Sequence, residues 1–213
     1  DKFGAVTTVK ASLNHRSFRR RMKTEWERVT TEELSVGDYL PMTRPPKNFK
    51  LSLQGCQHGF FFGDGTRANG ELHQFDDSVA VLKDLFTHVD DIDNRHSVVR
   101  QCPLAWGQVP QDSYYNDQRY LYGFLAGYLA ADGHVSPQGQ VTISSARLDE
   151  LTAVHKMFAD LGIRATLPHI VATESNLVED RNPLYGITIN PIDLDEQFFL
   201  KSVHCERWLA NVG

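Results

Sequence analysis

The chain has 213 residues, 41% hydrophobic and 23% charged, a composition typical of a globular protein with a sizeable core. No apolar run approaches the roughly 18 residues of a membrane span, and the first residues lack the pattern of a signal peptide, so we expect an intracellular protein without a membrane segment. Cys56, Cys102 and Cys205 are scattered, which indicates reduced thiols and excludes a disulfide framework or a cysteine-based zinc site.

The charge is unevenly distributed along the chain, although the net value is only −5. Residues 1–50 carry 11 Lys and Arg against 6 Asp and Glu, whereas residues 51–213 carry 11 against 21. The sharpest basic run is HRSFRRRMK, which starts at His15. This run is either a nucleic-acid-binding arm or a solvated strand face. The acidic remainder is unexpected for a protein that must neutralise many phosphates.

The first segment, residues 1–46, is predicted to be rich in β-structure. Apolar and polar residues alternate in GAVTTVKASL, and Val-Gly-Asp near residue 37 is a turn signal before a short strand. Pro45 and Pro46 cannot join a central strand, so they predict a linker at about 44–50.

After this linker the same order of elements is predicted twice. The first round has a helix that ends at Gly-Asp-Gly, a hairpin that turns at Asn69-Gly70, an amphipathic helix and a strand. The second round is fuller: a helix at 117–133, a hairpin at 134–145, a helix at 146–162, strands at 163–172 and 182–190, and a final helix at 193–203. The repeat predicts a mixed α/β fold with two halves, at 51–118 and 119–205.

The two halves also share a short motif that ends in an acidic residue. GFFFGDG at 59–65 and GYLAADG at 127–133 place Asp64 and Asp132 at equivalent positions. Small residues four apart let two helices pack closely, which would bring both carboxylates to one end of the interface. Two such charges repel unless a divalent cation lies beside them, and oxygen ligands favour Mg²⁺, with Mn²⁺ as an alternative. This arrangement suits the attack of water on a phosphodiester.

LAGYLAADG, residues 125–133, closely resembles the LAGLIDADG signature, and GFFFGDG resembles a diverged copy of it. The resemblance is to two-motif LAGLIDADG homing endonucleases. It implies two pseudo-symmetric αββαββα halves, the first abbreviated, in a monomer that cleaves double-stranded DNA at a long target. It also implies that Asp64 and Asp132 are catalytic, and that the metal site comprises Asp64, Asp132, Gly63 and Ala131.

DNA contacts are expected on the hairpins that follow each motif, because in this family those hairpins lie in the major groove. Asn and Gln suit adenine, Arg suits guanine or phosphate. The candidates are Arg67, Asn69, His73, Ser136, Gln138, Gln140 and Arg147, and each is equally compatible with an ordinary solvated hairpin residue. The family commonly adds a basic residue near the metals, for which Arg100 and Arg164 are the candidates.

The N-terminal segment has a second resemblance, to the middle of an intein's Hint splicing domain. SLNHRSF places His15 where that domain has its splicing histidine, TTEELSVGDYLPM matches its closing strand, and ERWLANVG predicts a return to the domain at 206–213. Complete splicing is not expected, because Asp1 stands where the nucleophile is needed and Asn211 is not terminal. The partners implied are the missing intein or extein segments.

Three alternatives remain open at this point. The Asp-Gly motifs are also common as plain helix C-caps. A catalytically inactive LAGLIDADG module that binds nucleic acid or assists RNA splicing would carry the same helices. A split-intein fragment would act in protein splicing with a partner piece.

Overall fold

The computed structural model describes residues 12–14, 16–21, 24–40, 50–114, 117–172 and 183–212. The predicted splicing histidine, His15, and most of the predicted linker lie outside these ranges. None of the helices in the described ranges is both long and apolar enough to span a bilayer.

The described part of the N-terminal segment forms a two-stranded antiparallel hairpin, whereas most of the alternating stretch GAVTTVKASL lies outside the described ranges. Strand β1 (Arg16–Arg19) pairs with β2 (Glu27–Thr30), and an isolated bridge joins Arg20 to Tyr39. A 3₁₀ turn follows β2, and the carboxylate of Glu33 accepts hydrogen bonds from the amide and hydroxyl of Thr30 (2.6 and 2.9 Å). Such a capping arrangement satisfies donors that the turn leaves unpaired.

The rest of the chain forms two halves with the same order of elements. The first half contains α1 (Leu53–Asp64), β3 (Gly65–Thr66), β4 (Glu71–Phe75), α2 (Ser78–Leu85), β5 (Asp90–Asp91) and β6 (His96–Val99). The second contains α3 (Gln118–Asp132), β7 (Gly133–Val135), β8 (Val141–Ser145), α4 (Leu148–Asp160), β9 (His169–Ala172), β10 (Leu184–Ile189) and α5 (Ser202–Val212).

Sheet topology confirms the predicted internal repeat. The strand order is β3-β4-β6-β5 in the first half and β7-β8-β10-β9 in the second, with all pairs antiparallel. Each half therefore reads α-β-β-α-β-β, and α5 completes only the second among the described residues. The mixed α/β fold with two pseudo-symmetric halves, the first abbreviated, is thus confirmed. Both hairpins turn as predicted, with Gly70 and Gly139 at positive φ (72° and 75°).

The predicted final helix at 193–203 is wrong. Residues Pro191–Asp193 and Glu196–Phe198 form 3₁₀ turns, and α5 begins only at Ser202. The reason is that Phe198 and Phe199 are both buried, at 0% and 7% exposure. The ring of Phe198 packs on Tyr122 and that of Phe199 on Trp208, and this tertiary packing overrides local helix propensity.

The predicted return to a splicing domain at 206–213 stays a prediction, but residues 206–212 continue α5. Arg207 donates to the carbonyl of Val135 (2.8 Å), and the indole of Trp208 donates to the carbonyl of Pro191 (2.9 Å). This end of the described chain therefore packs on the second half.

Helices α1 and α3 pack side by side, because glycines line the face where they meet. A Cβ added to Gly123 would lie 2.6 Å from the carbonyl oxygen of Ser52, and one added to Gly59 or Gly127 would overlap the backbone of the opposite helix. Only glycine permits this approach at these positions. Large aromatic side chains such as Phe60, Phe61 and Phe124 flank the contact and are fully buried.

We expect Gly127→Ala to lower the free energy of unfolding by about 2–3 kcal/mol, because the added methyl group meets rigid backbone. Gly107→Ala is the matched control, because its methyl group would meet only the long side chain of Arg67, at 2.9–3.3 Å, which can move aside. Urea denaturation of both variants measures the difference. Equal losses would contradict a backbone contact at Gly127.

Candidate metal and nucleic-acid site

The motif helices end together, so Asp64 and Asp132 lie next to each other. Each aspartate is the last residue of its helix. A Cβ added to Gly63 would lie 2.5 Å from Cβ of Ala131 and 3.2 Å from Oδ2 of Asp132, which shows how closely the two ends approach. Both aspartates are exposed to solvent at this end. The close packing predicted from the sequence therefore brings two carboxylates to one point.

The two carboxylates have different surroundings. Oδ2 of Asp64 accepts a hydrogen bond from Nε2 of Gln74 (2.8 Å), a buried side chain on β4. The pKa of Asp132 is raised to about 6, because protein packed around the carboxylate removes hydration and because the charge of Asp64 repels it. Lys201, Arg147 and Arg67 oppose this rise. The acid pair is thus electrostatically coupled and costs stability when both members are ionised.

Lys201 is the cation that the sequence analysis missed. It lies just before α5 and interacts electrostatically with Asp64, Asp77 and Asp132. Burial lowers the pKa of this lysine, and the three carboxylates partly restore it. The sequence carries no usable signal for this role, because Lys201 lies within the predicted final helix and is 69 residues from Asp132.

The two arginines proposed for the same role are engaged elsewhere. Arg164 binds Asp193 with two nitrogens (2.7 and 2.8 Å), and Arg100 pairs with Asp90. Neither is among the cations that shift the pKa of Asp132.

Two of the predicted DNA contacts, Arg67 and Arg147, converge on Glu150 at the junction of the halves. Arg67 follows α1, and its guanidinium donates to both oxygens of Glu150 in α4 (2.7 and 3.2 Å) while lying 5.1 Å from the ring centroid of Phe62. Arg147 donates to the same carboxylate (2.8 Å). The three side chains form an ion-pair network beside the acid pair, and we refer to it as the Glu150 network.

The remaining predicted DNA contacts fall into two groups. Asn69 and Ser136 accept hydrogen bonds from nearby main-chain amides and so shape the two hairpin turns. His73 is paired with His96, with 3.0 Å between Nδ1 and Nε2. By contrast, the side chains of Gln138 and Gln140 are exposed at the tip of the second hairpin.

Among the described residues, the outer faces of the two sheets carry little positive charge. On the first sheet, Arg100 lies between Glu71 and Asp90, so two carboxylates surround one guanidinium. On the second sheet, Thr142 is paired with Thr188 on one side and with His134 on the other, so these positions carry no Lys or Arg. A phosphate backbone would find few cations on these faces, which agrees with the acidic composition of residues 51–213.

The acid pair fits a divalent cation in part. Two carboxylates supply hard oxygen donors, and Mg²⁺ usually completes its coordination with water and substrate phosphate oxygens. Within the described ranges, no group of three or more His, Cys, Asp or Glu side chains is arranged around a common point. The donor chemistry therefore fits Mg²⁺ or Mn²⁺ better than Zn²⁺.

Comparison with known proteins finds a family match in the second half. The family model described as a LAGLIDADG-like domain matches residues 119–182. No curated protein sequence matches the chain significantly.

Three solved structures are distantly similar. One is I-DmoI in complex with DNA and Ca, with 15% identity over 65% of this chain and 82% of that chain, at a TM-score of 0.45. A second is I-DmoI in complex with DNA and Mn, with 15% identity over 65% and 91%, at 0.43. The third is the N-terminal LAGLIDADG domain of DUF199/WhiA, with 16% identity over 79% and 86%, at 0.45. These likenesses are too distant to support a function.

We expect Asp132→Asn to stabilise the fold at pH 8 by about 1 kcal/mol, a value reduced for solvent screening. The raised pKa of Asp132 contributes stability that is complete below the unfolded-state pKa of about 4 and is lost as the pH rises through about 6. Thermal melts at pH 8 and pH 4 measure the difference between variant and wild type. A stabilisation of equal size at both pH values would contradict the repulsion, and Asp160→Asn on the outer surface of α4 is the control.

A second pH effect of opposite sign comes from buried histidines. Burial, together with Lys201, His134 and Arg207, lowers the pKa of His204 to about 4. Burial likewise lowers the pKa of His58 to about 4. The ring nitrogens of His58 are hydrogen-bonded to the hydroxyl of Tyr120 and to the carbonyl of Gln108 (2.8 Å each). Because the unfolded chain takes up these protons first, stability falls as the pH drops from about 6.5 to about 4.

In an Asp132→Asn background, which removes the opposing effect, we expect His204→Leu to abolish part of this acid loss, about 2 kcal/mol between pH 7 and pH 5. His204 suits the test because its buried Nδ1 has no hydrogen-bond partner among the described residues, so the substitution breaks no such bond there. Urea unfolding at pH 7 and pH 5 is the measurement. His88→Leu, at an exposed histidine, should change nothing, and an unaltered pH dependence in His204→Leu would contradict the assignment.

Proposed function

We propose that the chain is a metal-dependent endonuclease that cleaves double-stranded DNA at a long target site. The observation that carries the proposal is the convergence of Asp64, Asp132 and Lys201 at the end of the α1–α3 interface. Two coupled carboxylates beside a half-buried lysine are costly for a fold that uses them only as helix ends. A divalent cation between the carboxylates would relieve this cost.

Each residue has a distinct part in the proposed reaction. Asp64 and Asp132 would hold Mg²⁺ or Mn²⁺, with main-chain oxygens of Gly63 and Ala131 as further donors. When bound, the ion supplies charge to polarise the phosphodiester and to activate water. Gln74 orients Asp64 by donating a hydrogen bond to one of its oxygens. Lys201 presents an ammonium group beside the acid pair, where it stabilises charge that develops on the phosphate.

The Glu150 network gives Arg67 and Arg147 a place in substrate binding. Both guanidiniums are already oriented by one carboxylate near the acid pair. A DNA phosphate presents the same paired oxygen acceptors as Glu150 and can replace it. Gln138 and Gln140, exposed on the second hairpin, are the better candidates for reading bases, whereas Asn69, His73 and Ser136 would first have to give up the contacts described above.

The test uses cleavage of a randomised duplex library and of DNA that carries the chain's own insertion junction, with Mg²⁺ or Mn²⁺. We expect Asp64→Asn, Asp132→Asn and Lys201→Met each to lower the cleavage rate by about 100-fold or more, in line with the loss of one charged group from a catalytic site. The matched controls are Asp160→Asn and Lys83→Met, whose charges are paired on outer helix surfaces.

A calorimetric titration with Mn²⁺ separates binding from chemistry. Asp132→Asn should lose the ion, whereas Lys201→Met should keep it and still not cut. Normal cleavage by Asp132→Asn, or no cleavage of any duplex by the wild type, would refute the nuclease assignment.

One observation favours a second candidate, a LAGLIDADG module that binds nucleic acid without cutting it. Glu71 and Asp90 enclose Arg100, and Glu150 occupies Arg67 and Arg147, so much of the positive charge is already neutralised. Binding to DNA or RNA that is unaffected by either Asp→Asn substitution, and that proceeds without cleavage, would select this function.

Association with an intein is a separate proposal that rests on the sequence of the N-terminal segment. Its test is to mix the chain with the missing terminal segments and to look for a ligated product. Failure to form that product would remove the splicing role without affecting the nuclease.

A further inference from the structure

The N-terminal hairpin has two faces of different character. In antiparallel strands, directly paired residues and alternate residues along one strand share a face. The register pairs Arg16 with Thr30, Phe18 with Arg28, and Arg19 with Glu27. Arg16 and Phe18 therefore share a face with Arg28, whereas Arg19 lies on the other.

The face of Arg19 is neutralised within the segment. Nε of Arg19 donates to Glu27 (2.8 Å), and its Nη1 binds Asp38 (3.3 Å) and the carbonyl of Glu33. On the same side, the side chain of Val29 is buried. This face therefore holds the hairpin together and has no charge to offer.

The opposite face combines exposed aromatic rings with arginines that have no acidic partner among the described residues. Arg20 pairs with Tyr39 across the isolated bridge, and its guanidinium carbon lies 5.3 Å from the ring centroid of Trp26. None of Arg16, Arg20 and Arg28 forms an ion pair with a described residue. The basic–aromatic face, as we call it, comprises Arg16, Phe18, Arg20, Trp26, Arg28 and Tyr39.

The exposed rings decide which partner fits this face. Phe18, Trp26 and Tyr39 are 52%, 46% and 49% exposed, a large apolar area for so small a hairpin. Duplex DNA would engage the arginines through phosphates but would leave these rings in water. Unpaired bases stack on aromatic side chains, and arginines interleaved with them neutralise the backbone.

We propose that the basic–aromatic face binds single-stranded nucleic acid, with bases stacked on the rings and phosphates held by the three arginines. The proposal does not depend on the acid pair and goes beyond duplex cleavage. It explains why positive charge is concentrated in residues 1–50 while the two halves are acidic.

The experiment measures fluorescence anisotropy of a labelled oligothymidylate of about 20 nucleotides, long enough for a typical single-strand site. We expect Phe18→Ala/Trp26→Ala to weaken binding by about tenfold or more, because stacking is lost. The variant Arg16→Gln/Arg20→Gln/Arg28→Gln should reduce the slope of log affinity against log salt by about 0.7 for each phosphate contact removed.

Matched controls remove the same groups elsewhere. Arg95→Gln removes an arginine paired with Asp76 in the first half, and Phe75→Ala removes a ring that is 56% exposed on the first sheet. Thermal melts confirm that each variant is folded. Phe18→Ala/Trp26→Ala should leave metal-dependent cleavage of duplex DNA unchanged, which separates this proposal from the nuclease.

Equal losses in the controls, a loss of duplex binding as large as that of single-strand binding in the aromatic variant, or no binding of the oligothymidylate by the wild type would each overturn the proposal. Binding that the arginine variant loses and the aromatic variant keeps would also overturn it, since such binding would be phosphate contact without stacking.

Discussion

The close contact between α1 and α3 is the constraint on which the rest of the structure depends. Gly59 and Gly127 remove the side chains that would hold the two backbones apart, and the strands and outer helices of each half are then arranged around this pair. Because the helices run together to their last residues, Asp64 and Asp132 meet at one end. The position of the acid pair is therefore set by packing.

The same contact makes the site energetically unfavourable by itself. Packed protein removes hydration from Asp132, and Asp64 adds repulsion, so ionisation of both groups opposes folding. The positive charge of Lys201, just before α5, lowers this cost. The two arginines of the Glu150 network lower it as well. The carboxylates of Asp64, Asp132 and Glu150 are thus balanced by the cations of Lys201, Arg67 and Arg147. A bound divalent cation together with a phosphate would leave this balance nearly unchanged.

The sequence predicted those features that repeat or depend on neighbouring residues. Two helices that end in Asp-Gly, two hairpins with glycine at the turn, and the pairing of Asp64 with Asp132 all follow from local patterns. Lys201 and the partnership of Arg67 with Glu150 could not be predicted, because residues far apart in sequence meet only in the fold. The final helix failed for a related reason: burial of Phe198 and Phe199 against a distant core overrides local helix propensity.

The presence of both motif helices in one chain has a further consequence. A two-subunit protein with the same interface would lose its acid pair on dilution, whereas covalent linkage through residues 65–117 keeps α1 and α3 at a high effective concentration. Linkage also lets each half change alone. Gln74 donates a hydrogen bond to Asp64, whereas Asp132 has a raised pKa. The two carboxylates of the repeated motif therefore differ in their chemistry.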